Sequence, residues 1–164
     1  MKYLIDTNCF VEPYRRICPI DVAVSFWESI KKLHMDGCVF LLDAVLKEID
    51  GNDELVRWIQ NNIPDSAKIK FESEKTALSL ISVSKWAFGS HYSENAKDKF
   101  LDDTKADIYL VSYAAAYLGE YTVVTQETSH PKKTSEIKLP DACSHFGVQC
   151  CNLVGLYRNL NRTF

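Results

Sequence analysis

The sequence lacks the features that mark secreted, membrane-spanning and disordered proteins. No apolar run approaches the roughly 20 residues that span a bilayer, and the N-terminus shows no basic region or small-residue cleavage site typical of a signal peptide. Repeats, low-complexity tracts and linkers rich in proline, glycine and serine are also missing. We therefore expect a single cytoplasmic domain over residues 1–164, without a membrane partner.

Paired cysteine motifs are missing as well, although the chain has six cysteines. None of them forms the C-x-x-C spacing that is typical of zinc and redox sites. Cys150 and Cys151 lie in an apolar context, and Cys38 opens the apolar segment CVFLL. Because nothing indicates secretion, we expect all six to be reduced and these three to act as small buried hydrophobic residues.

An excess of basic charge is the third absence. The chain has 19 lysine and arginine residues against 22 aspartates and glutamates, which gives a formal net charge of −3. This balance argues against broad electrostatic binding of nucleic acid, which needs a basic surface. A local basic patch stays compatible with it if the acidic residues gather in one metal-binding cleft.

What the sequence does contain is an alternation of strand and helix patterns. Hydrophobic residues make up 46% and charged residues 25% of the chain, as in a globular domain with its own core. Strands separated by helices predict βαβ units, so the expected class is α/β, a three-layer α/β/α sandwich with a mainly parallel central sheet. Strands are predicted at KYLI, CVFLL, YTVVT and within HFGVQCCNL, with a short extended piece at SEIKL. Helices are predicted from Asp21 to about Met35, at DAVLKEID and DELVRWIQNN on either side of Gly51, over Glu72–Phe100 with a break at FGSHYS, at DIYLVSYAAAYLGE up to Gly119, and in the tail to about Arg162, with EPYRRICPI as a loop.

The first predicted strand stops abruptly on Asp6. A carboxylate at this point lies at the carboxyl edge of the sheet, where open α/β sheets bind their ligands. On these residues alone, a helix cap or an Asx-turn formed by Asp6 or Asn8 is the more frequent role.

Other carboxylates strengthen the functional interpretation of Asp6. Asp107 begins the apolar helix on its buried face, and Glu127 follows the strand YTVVT by two residues. Because strand ends and helix starts of a parallel sheet share one edge, these three carboxylates are expected to converge. Glu48 flanks the apolar face of DAVLKEID, and Asp141 follows a proline in KLPDAC; a solvent-facing glutamate and a helix cap are their ordinary roles. A cluster of repelling carboxylates needs shifted protonation or a hard cation such as Mg²⁺ or Mn²⁺.

Several segments resemble a known family. YLIDTN, LLDAVLKEI and ADIYLVSYAAAYLGEYTVVTQE, in this order, resemble the PIN domain, the nuclease fold of many bacterial VapC-type toxins. The resemblance covers nearly the whole chain, and ADIYLVSYA followed by a glycine and a VVT strand is its most specific piece. CPIDVAVSFW and EIKLPDACSHFGVQC further resemble the bacterial PIN-like subgroup DUF4411.

The resemblance implies a parallel sheet flanked by helices and an acidic site that binds Mg²⁺ or Mn²⁺ to cut RNA. Asp6, Glu48 and Asp107 match the family's acidic positions. Glu127 stands where the family usually has aspartate, so either Glu127 or Asp141 completes the catalytic and metal-binding set. The resemblance also implies that small polar residues orient these ligands, namely Thr7, Asn8 and Thr125.

The mechanism implied is metal-assisted hydrolysis of a phosphodiester bond, without a protein nucleophile. Basic residues that leave the predicted active edge are the candidates for phosphate contacts, although each is by itself an ordinary surface charge. They are Arg15 and Arg16 after the first strand, and Lys132 and Lys133 after Glu127. No role is assigned to His34, His91, His130 and His145.

The sequence leaves several functions open. The resemblance favours an endoribonuclease that is the toxin of a toxin–antitoxin pair, with RNA as substrate, an antitoxin protein as partner and a homodimeric state. A catalytically weak PIN-like module that binds RNA or protein is the alternative, supported by Glu127 and by the pI of about 5.8. A phosphotransferase of the haloacid dehalogenase type ranks last, because its chemistry needs a second aspartate where this chain has Asn8. A DNA substrate also stays open.

Overall fold

Five parallel strands form the central sheet, in the order β3-β2-β1-β4-β5. The computed structural model describes residues 1–49 and 53–163, the side chain of Asp53 excepted. In the central pairs, Leu4 is in register with Phe40 on one side and with Val123 on the other. The strands are β1 (Lys2–Ile5), β2 (Val39–Leu42), β3 (Lys68–Ile69), β4 (Tyr121–Val124) and β5 (Gln149–Cys151).

The chain builds the two halves of the sheet in opposite directions. It runs from β1 outward to β2 and β3, and then returns to the other side of β1 for β4 and β5. Since parallel crossovers are right-handed, this change of direction places helices on both faces of the sheet. The point between β1 and β4 is a topological switch point, the usual place for a ligand site in open α/β sheets.

Helices fill the connections between the strands. None of those in the described part of the chain combines the length and apolar character that crossing a membrane requires. A short 3-10 helix, Asp65–Ala67, precedes β3. The nine α-helices of the described residues are α1 (Asn8–Arg16), α2 (Val24–Met35), α3 (Asp43–Glu48), α4 (Asp53–Asn62), α5 (Glu74–Gly89), α6 (Glu94–Phe100), α7 (Asp107–Ala116), α8 (Leu139–His145) and α9 (Leu153–Asn159).

The core lies on both sides of the two central strands. All four residues of β4 are buried, and Leu4 and Ile5 of β1 are completely shielded from solvent. Helix α7 is buried around most of its circumference and packs against α5, which explains why its sequence is apolar on nearly every side. This burial fixes the ends of β1, β4 and α7 rigidly at one edge of the sheet.

The predicted class and most of the predicted elements are confirmed. The segments KYLI, CVFLL and YTVVT contain β1, β2 and β4, and the break at FGSHYS separates α5 from α6. The helix predicted at DELVRWIQNN has the bounds of α4. Gly51, predicted to separate α3 from α4, lies outside the described residues.

Other elements differ from the prediction. The segment predicted as a loop after β1 is largely helical, because α1 continues through Pro13, which is buried with Cys9 and Phe10; tertiary packing outweighs the hydrogen bond that proline removes. Helix α2 begins at Val24, so Asp21 is not its cap. Helix α7 ends at Ala116, before Gly119 with its φ of +85°.

Strand β3 and the 3-10 helix that precedes it were not predicted, and the predicted extended piece SEIKL forms no strand. Strand β3 has only two residues, too few for a periodic pattern. The six cysteines are free thiols. The expectation that Cys38, Cys150 and Cys151 are buried is wrong, because all three are only half-buried, whereas Cys9 and Cys143 are buried.

His34 is a buried titratable residue of α2, and it generates a prediction about stability. Neither of its ring nitrogens has a hydrogen-bond partner of good geometry, and the ring stacks on Phe10 with centroids 6.2 Å apart. Burial lowers the pKa of His34 to about 4, and the backbone of Val39 opposes this shift only in part. Between about pH 6.5 and pH 4, His34 therefore binds a proton in the unfolded chain but stays neutral in the folded protein.

We expect the stability of the wild type, relative to a His34→Leu variant, to fall by up to about 3 kcal/mol as the pH drops from 7 to 4. Urea unfolding of both proteins across this range measures the difference. Parallel stability curves for the two proteins would contradict the prediction.

Candidate active site

Four carboxylates meet at the switch point of the sheet. Asp6 directly follows β1, Glu127 comes shortly after β4, Glu48 is the last residue of α3 and Asp107 is the first residue of α7. All four line one pocket of about 680 Å³. Asp6, Glu127 and Asp107 come from the strand ends and the helix start that share one edge of the sheet, whereas Glu48 reaches the same pocket from the end of α3, the short helix that directly follows β2.

Asp6 is the most deeply placed of the four, with an exposed fraction of 3%. Its backbone N–H donates to Val124 O at 2.9 Å, which extends the pairing of β1 with β4 by one residue. The hydroxyl of Thr125 donates to Asp6 Oδ2 at 2.8 Å. Burial raises the pKa of Asp6 to about 7; the Thr125 hydrogen bond opposes the shift, and the charges of Glu48 and Glu127 add to it.

Asp107 lies across the pocket and has a different environment. No described residue donates a hydrogen bond to its carboxylate, and no described lysine or arginine forms an ion pair with it. Burial raises the pKa of Asp107 well above its usual range, and the negative charges of Asp6, Glu127 and Glu48 raise it further, while Lys105 lowers it. This carboxylate therefore faces the pocket with unfilled acceptor capacity.

Glu48 and Glu127, in contrast, are held by the protein itself. The hydroxyl of Thr7 donates to Glu48 Oε2 at 2.6 Å, the N–H of Ala106 donates to the same oxygen at 3.3 Å, and Lys105 Nζ lies 3.4 Å from Oε1. For Glu127, the N–H of Leu139 donates to Oε2 at 2.8 Å and Lys138 Nζ lies 3.4 Å from Oε1.

The predicted orienting residues all contact this cluster. Thr7 binds Glu48 and Thr125 binds Asp6, as described above. Asn8 joins the two strand ends, because its amide nitrogen donates to Thr125 Oγ1 at 3.1 Å and its Oδ1 accepts from the N–H of Gln126 at 2.9 Å. Thr125 Oγ1 also accepts from the N–H of Glu127 at 3.1 Å.

Asp141 lies apart from the cluster and does not line the pocket. Its carboxylate accepts hydrogen bonds from the Ser129 hydroxyl and from the N–H of His130, the latter at 2.9 Å. It therefore fastens the loop after β4 to the first turn of α8. Between the two alternatives from the sequence, the geometry favours Glu127 as the fourth acidic residue of the pocket.

Basic residues rim the pocket, but they are only partly those expected. Arg15 of α1 lines it, whereas Arg16, Lys132 and Lys133 do not. Lys99 of α6 and Lys105, which precedes α7, line it as well. Sequence reasoning missed these two lysines, and the one available signal was the position of Lys105 two residues before Asp107. None of the four histidines lines the pocket.

The cluster does not form a ready metal cage. Within residues 1–49 and 53–163, no three His, Cys, Asp or Glu side chains are arranged so that they could hold a metal ion as they stand. The reason is visible in the contacts, since Glu48 and Glu127 are both bound to protein donors. Among these four carboxylates, Asp107 accepts no hydrogen bond from a described residue, and Asp6 accepts one side-chain hydrogen bond, from Thr125 to Oδ2.

Comparisons with known proteins place the chain in a sequence family and a fold. The model of a family described as "Domain of unknown function (DUF4411)" matches residues 3–164. The crystal structure of VapBC2 from Rickettsia felis bound to a DNA fragment from their promoter is similar to this chain, with a TM-score of 0.53 and 15% identity, over 93% of this chain and 98% of the matched chain. At this identity the similarity concerns the fold. A search of curated proteins found no match.

Repulsion between Asp6 and Asp107 generates a prediction for the metal-free protein. Burial and the neighbouring negative charges raise the pKa of each aspartate in the folded state. The unfolded chain therefore releases these protons first, and stability is lost as the pH rises above about 4, for Asp6 up to its folded-state pKa of about 7. Asp107→Asn removes one of the two charges. In EDTA at pH 8 we expect this variant to be more stable than the wild type by about 1 kcal/mol, the scale of single stabilising substitutions.

Thermal unfolding of both proteins at pH 5 and pH 8 measures this difference, which should shrink at pH 5. A variant that is less stable than the wild type at pH 8 would show that Asp107 has a structural role that outweighs its repulsion of Asp6.

Proposed function

The chain belongs to the DUF4411 family, and from its acidic pocket we propose that it is a metal-dependent endoribonuclease that hydrolyses RNA phosphodiester bonds. The observation that carries the proposal is the pair Asp6 and Asp107, two carboxylates that repel each other at a switch point, one of them without a protein donor. Such a pair is unfavourable in an isolated domain and favourable around a cation.

The donors in the pocket fit a hard divalent cation such as Mg²⁺ or Mn²⁺, which prefers carboxylate oxygens. Asp6 and Asp107 would hold it directly. Glu48 and Glu127, whose oxygens are engaged by protein donors, would act on it through water. When bound, the ion supplies Lewis-acid polarisation of the phosphate and a lowered pKa for an attacking water.

The protein's own contribution is to place these oxygens before substrate arrives. Thr125 and Asn8 fix the end of β1 against the end of β4, and Thr7 fixes Glu48. Because buried or half-buried donors hold the carboxylates of Asp6 and Glu48, these two side chains need little rearrangement to receive a charged ligand.

The basic rim supports a phosphate-containing substrate. Lys99 and Arg15 are exposed, and they line the same pocket as the carboxylates. No described acidic residue forms an ion pair with Lys99. Its ammonium group is therefore available for a phosphate on the strand that enters the acidic pocket.

The family resemblance and the fold similarity to VapBC2 support a further step. We infer that the protein is the toxin of a toxin–antitoxin pair and binds an antitoxin protein. The fold itself does not fix a chemical activity.

A second function is favoured by one specific observation, the pairing of Glu127 with Lys138 and Leu139. A carboxylate that is already neutralised contributes less to a metal centre. A PIN-like module with weak catalysis that binds RNA or protein is therefore the alternative.

Cleavage of labelled single-stranded RNA tests the leading proposal. We expect cleavage in Mg²⁺ or Mn²⁺, none in EDTA, and a loss of at least about 100-fold in the Asp107→Asn variant, the scale of a removed catalytic group. Asp141→Asn is the matched control, because this aspartate lies outside the pocket; it should cleave like the wild type. Circular dichroism checks that each variant is folded.

Equal RNA binding by wild type and Asp107→Asn, with no cleavage by either across varied RNA sequences, would favour the binding module. Cleavage that survives in EDTA would contradict the metal-dependent mechanism.

The basic rim makes a separate prediction. If Lys99 contacts one phosphate, Lys99→Gln should lower the salt dependence of single-stranded RNA binding by about 0.7 in the slope of log K against log salt. Fluorescence anisotropy in EDTA at several salt concentrations measures this slope. Lys132→Gln is the comparison, because Lys132 lies outside the pocket. A larger change of the slope in this variant would indicate that the RNA contacts the loop after β4 and not Lys99.

A further inference from the structure

A lysine is built into the acidic cluster. Lys138 directly precedes α8, and its Nζ lies 3.4 Å from Glu127 Oε1 and 2.8 Å from Glu136 Oε1. Its side chain is only 19% exposed. Both glutamates line the pocket that also contains Asp6 and Asp107. Lys138 itself does not line the pocket, but its ammonium group lies between two carboxylates that do.

Glu127 is the link between this lysine and the two aspartates. Its negative charge raises the pKa of both Asp6 and Asp107, although burial is the larger cause at each, so it belongs to the same electrostatic cluster. Both oxygens of the Glu127 carboxylate have a protein partner, since Oε1 faces Lys138 and Oε2 accepts a hydrogen bond from the N–H of Leu139. Glu127 therefore has protein partners without a metal ion, whereas no described residue donates a hydrogen bond to the Asp107 carboxylate.

The bridging geometry is the arrangement expected of a cation shared by two carboxylates. A divalent ion in an acidic nuclease site neutralises neighbouring carboxylates and holds them at a fixed separation. Lys138 does both for Glu127 and Glu136 with a covalently tethered charge. Because the ammonium group is part of the chain, no free ion has to be immobilised at this position.

We propose that Lys138 is a positioning residue that takes the place of a second divalent cation, leaving the pocket with one exchangeable cation site at Asp6 and Asp107. The proposal rests on the function proposed for the site. It accounts for the glutamate at position 127, because the longer side chain reaches the lysine and the N–H of Leu139.

A purely structural role for Lys138 is the competing explanation. In that case Lys138 fastens the start of α8 to the loop after β4, and its removal lowers stability without changing how the pocket binds cations. Metal-binding stoichiometry separates the two, because a structural clamp does not change the number of ions bound.

The test is titration of the RNA-free protein with Mn²⁺, with bound and free ion measured by electron paramagnetic resonance. We expect one Mn²⁺ per wild-type chain. Lys138→Gln should bind a second Mn²⁺, since one positive charge has left the cluster. Lys138→Arg, which keeps the charge, should behave like the wild type.

Lys133→Gln is the matched control for a change in net charge. Lys133 Nζ lies 2.9 Å from the other oxygen of Glu136, its side chain is 50% exposed, and it does not contact Glu127. This variant should bind one Mn²⁺ with wild-type affinity. The double variant Lys138→Gln, Glu127→Gln removes both charges of the pair, so it should bind no second Mn²⁺.

The double variant also guards against a single variant that does not fold, because it leaves no unpaired charge at Glu127. A second Mn²⁺ bound by this double variant would show that the additional site does not depend on Glu127, and would overturn the proposal. Unchanged stoichiometry in folded Lys138→Gln would overturn it too, even if the melting temperature falls or the first ion binds more tightly.

The outcomes also separate this proposal from the proposed function. If the wild type and Lys138→Gln each bind one Mn²⁺ per chain, the result supports the metal-dependent function and contradicts the role proposed for Lys138. If the wild type binds no Mn²⁺ and Lys138→Gln binds one, the lysine occupies a cation position, and the result contradicts the metal-dependent function of the wild type. Absence of binding in both overturns both.

Discussion

The burial of the Asp6 carboxylate between β1 and β4 is the constraint on which the rest of the site depends. A charge in such a position is costly unless donors or cations meet it. The parallel pairing of the two central strands provides the first donor, since it carries Thr125 to within 2.8 Å of Asp6. The same switch point gathers the ends of α3 and α7, and with them the remaining carboxylates.

The four central carboxylates of the pocket divide into two kinds. Glu48 lies 3.4 Å from Lys105 and Glu127 lies 3.4 Å from Lys138, while no described lysine or arginine forms an ion pair with Asp6 or Asp107. Two ion-paired glutamates therefore share the pocket with two aspartates that lack an ion-pair partner among the described residues. Stability and function oppose each other at those aspartates, because the repulsion that weakens the empty domain is also what attracts a cation.

The part of this architecture that the sequence predicted is the part that local patterns control. The strand KYLI ending on Asp6, and the apolar helix beginning at Asp107, follow from side-chain preferences and from the geometry of parallel sheets. The helix through Pro13 was not predictable in this way, since packing of the buried α1 face overrides a local helix breaker. Lys99, Lys105 and Lys138 were missed because their positions depend on how separate loops fold over the sheet edge, a long-range property with no periodic signature.

The hydrogen bonds around Thr125 also determine where a proton can reside on Asp6. The N–H of Gln126 occupies Asn8 Oδ1, so the Asn8 amide must point its nitrogen toward Thr125. The threonine oxygen accepts this hydrogen and the one from Glu127 N–H, and its single hydroxyl hydrogen is directed to Asp6 Oδ2. Oδ2 thus already accepts a hydrogen bond, which favours Oδ1 as the place for a proton taken up by Asp6. The backbone N–H groups that follow β4 thereby make the two oxygens of one carboxylate unequal.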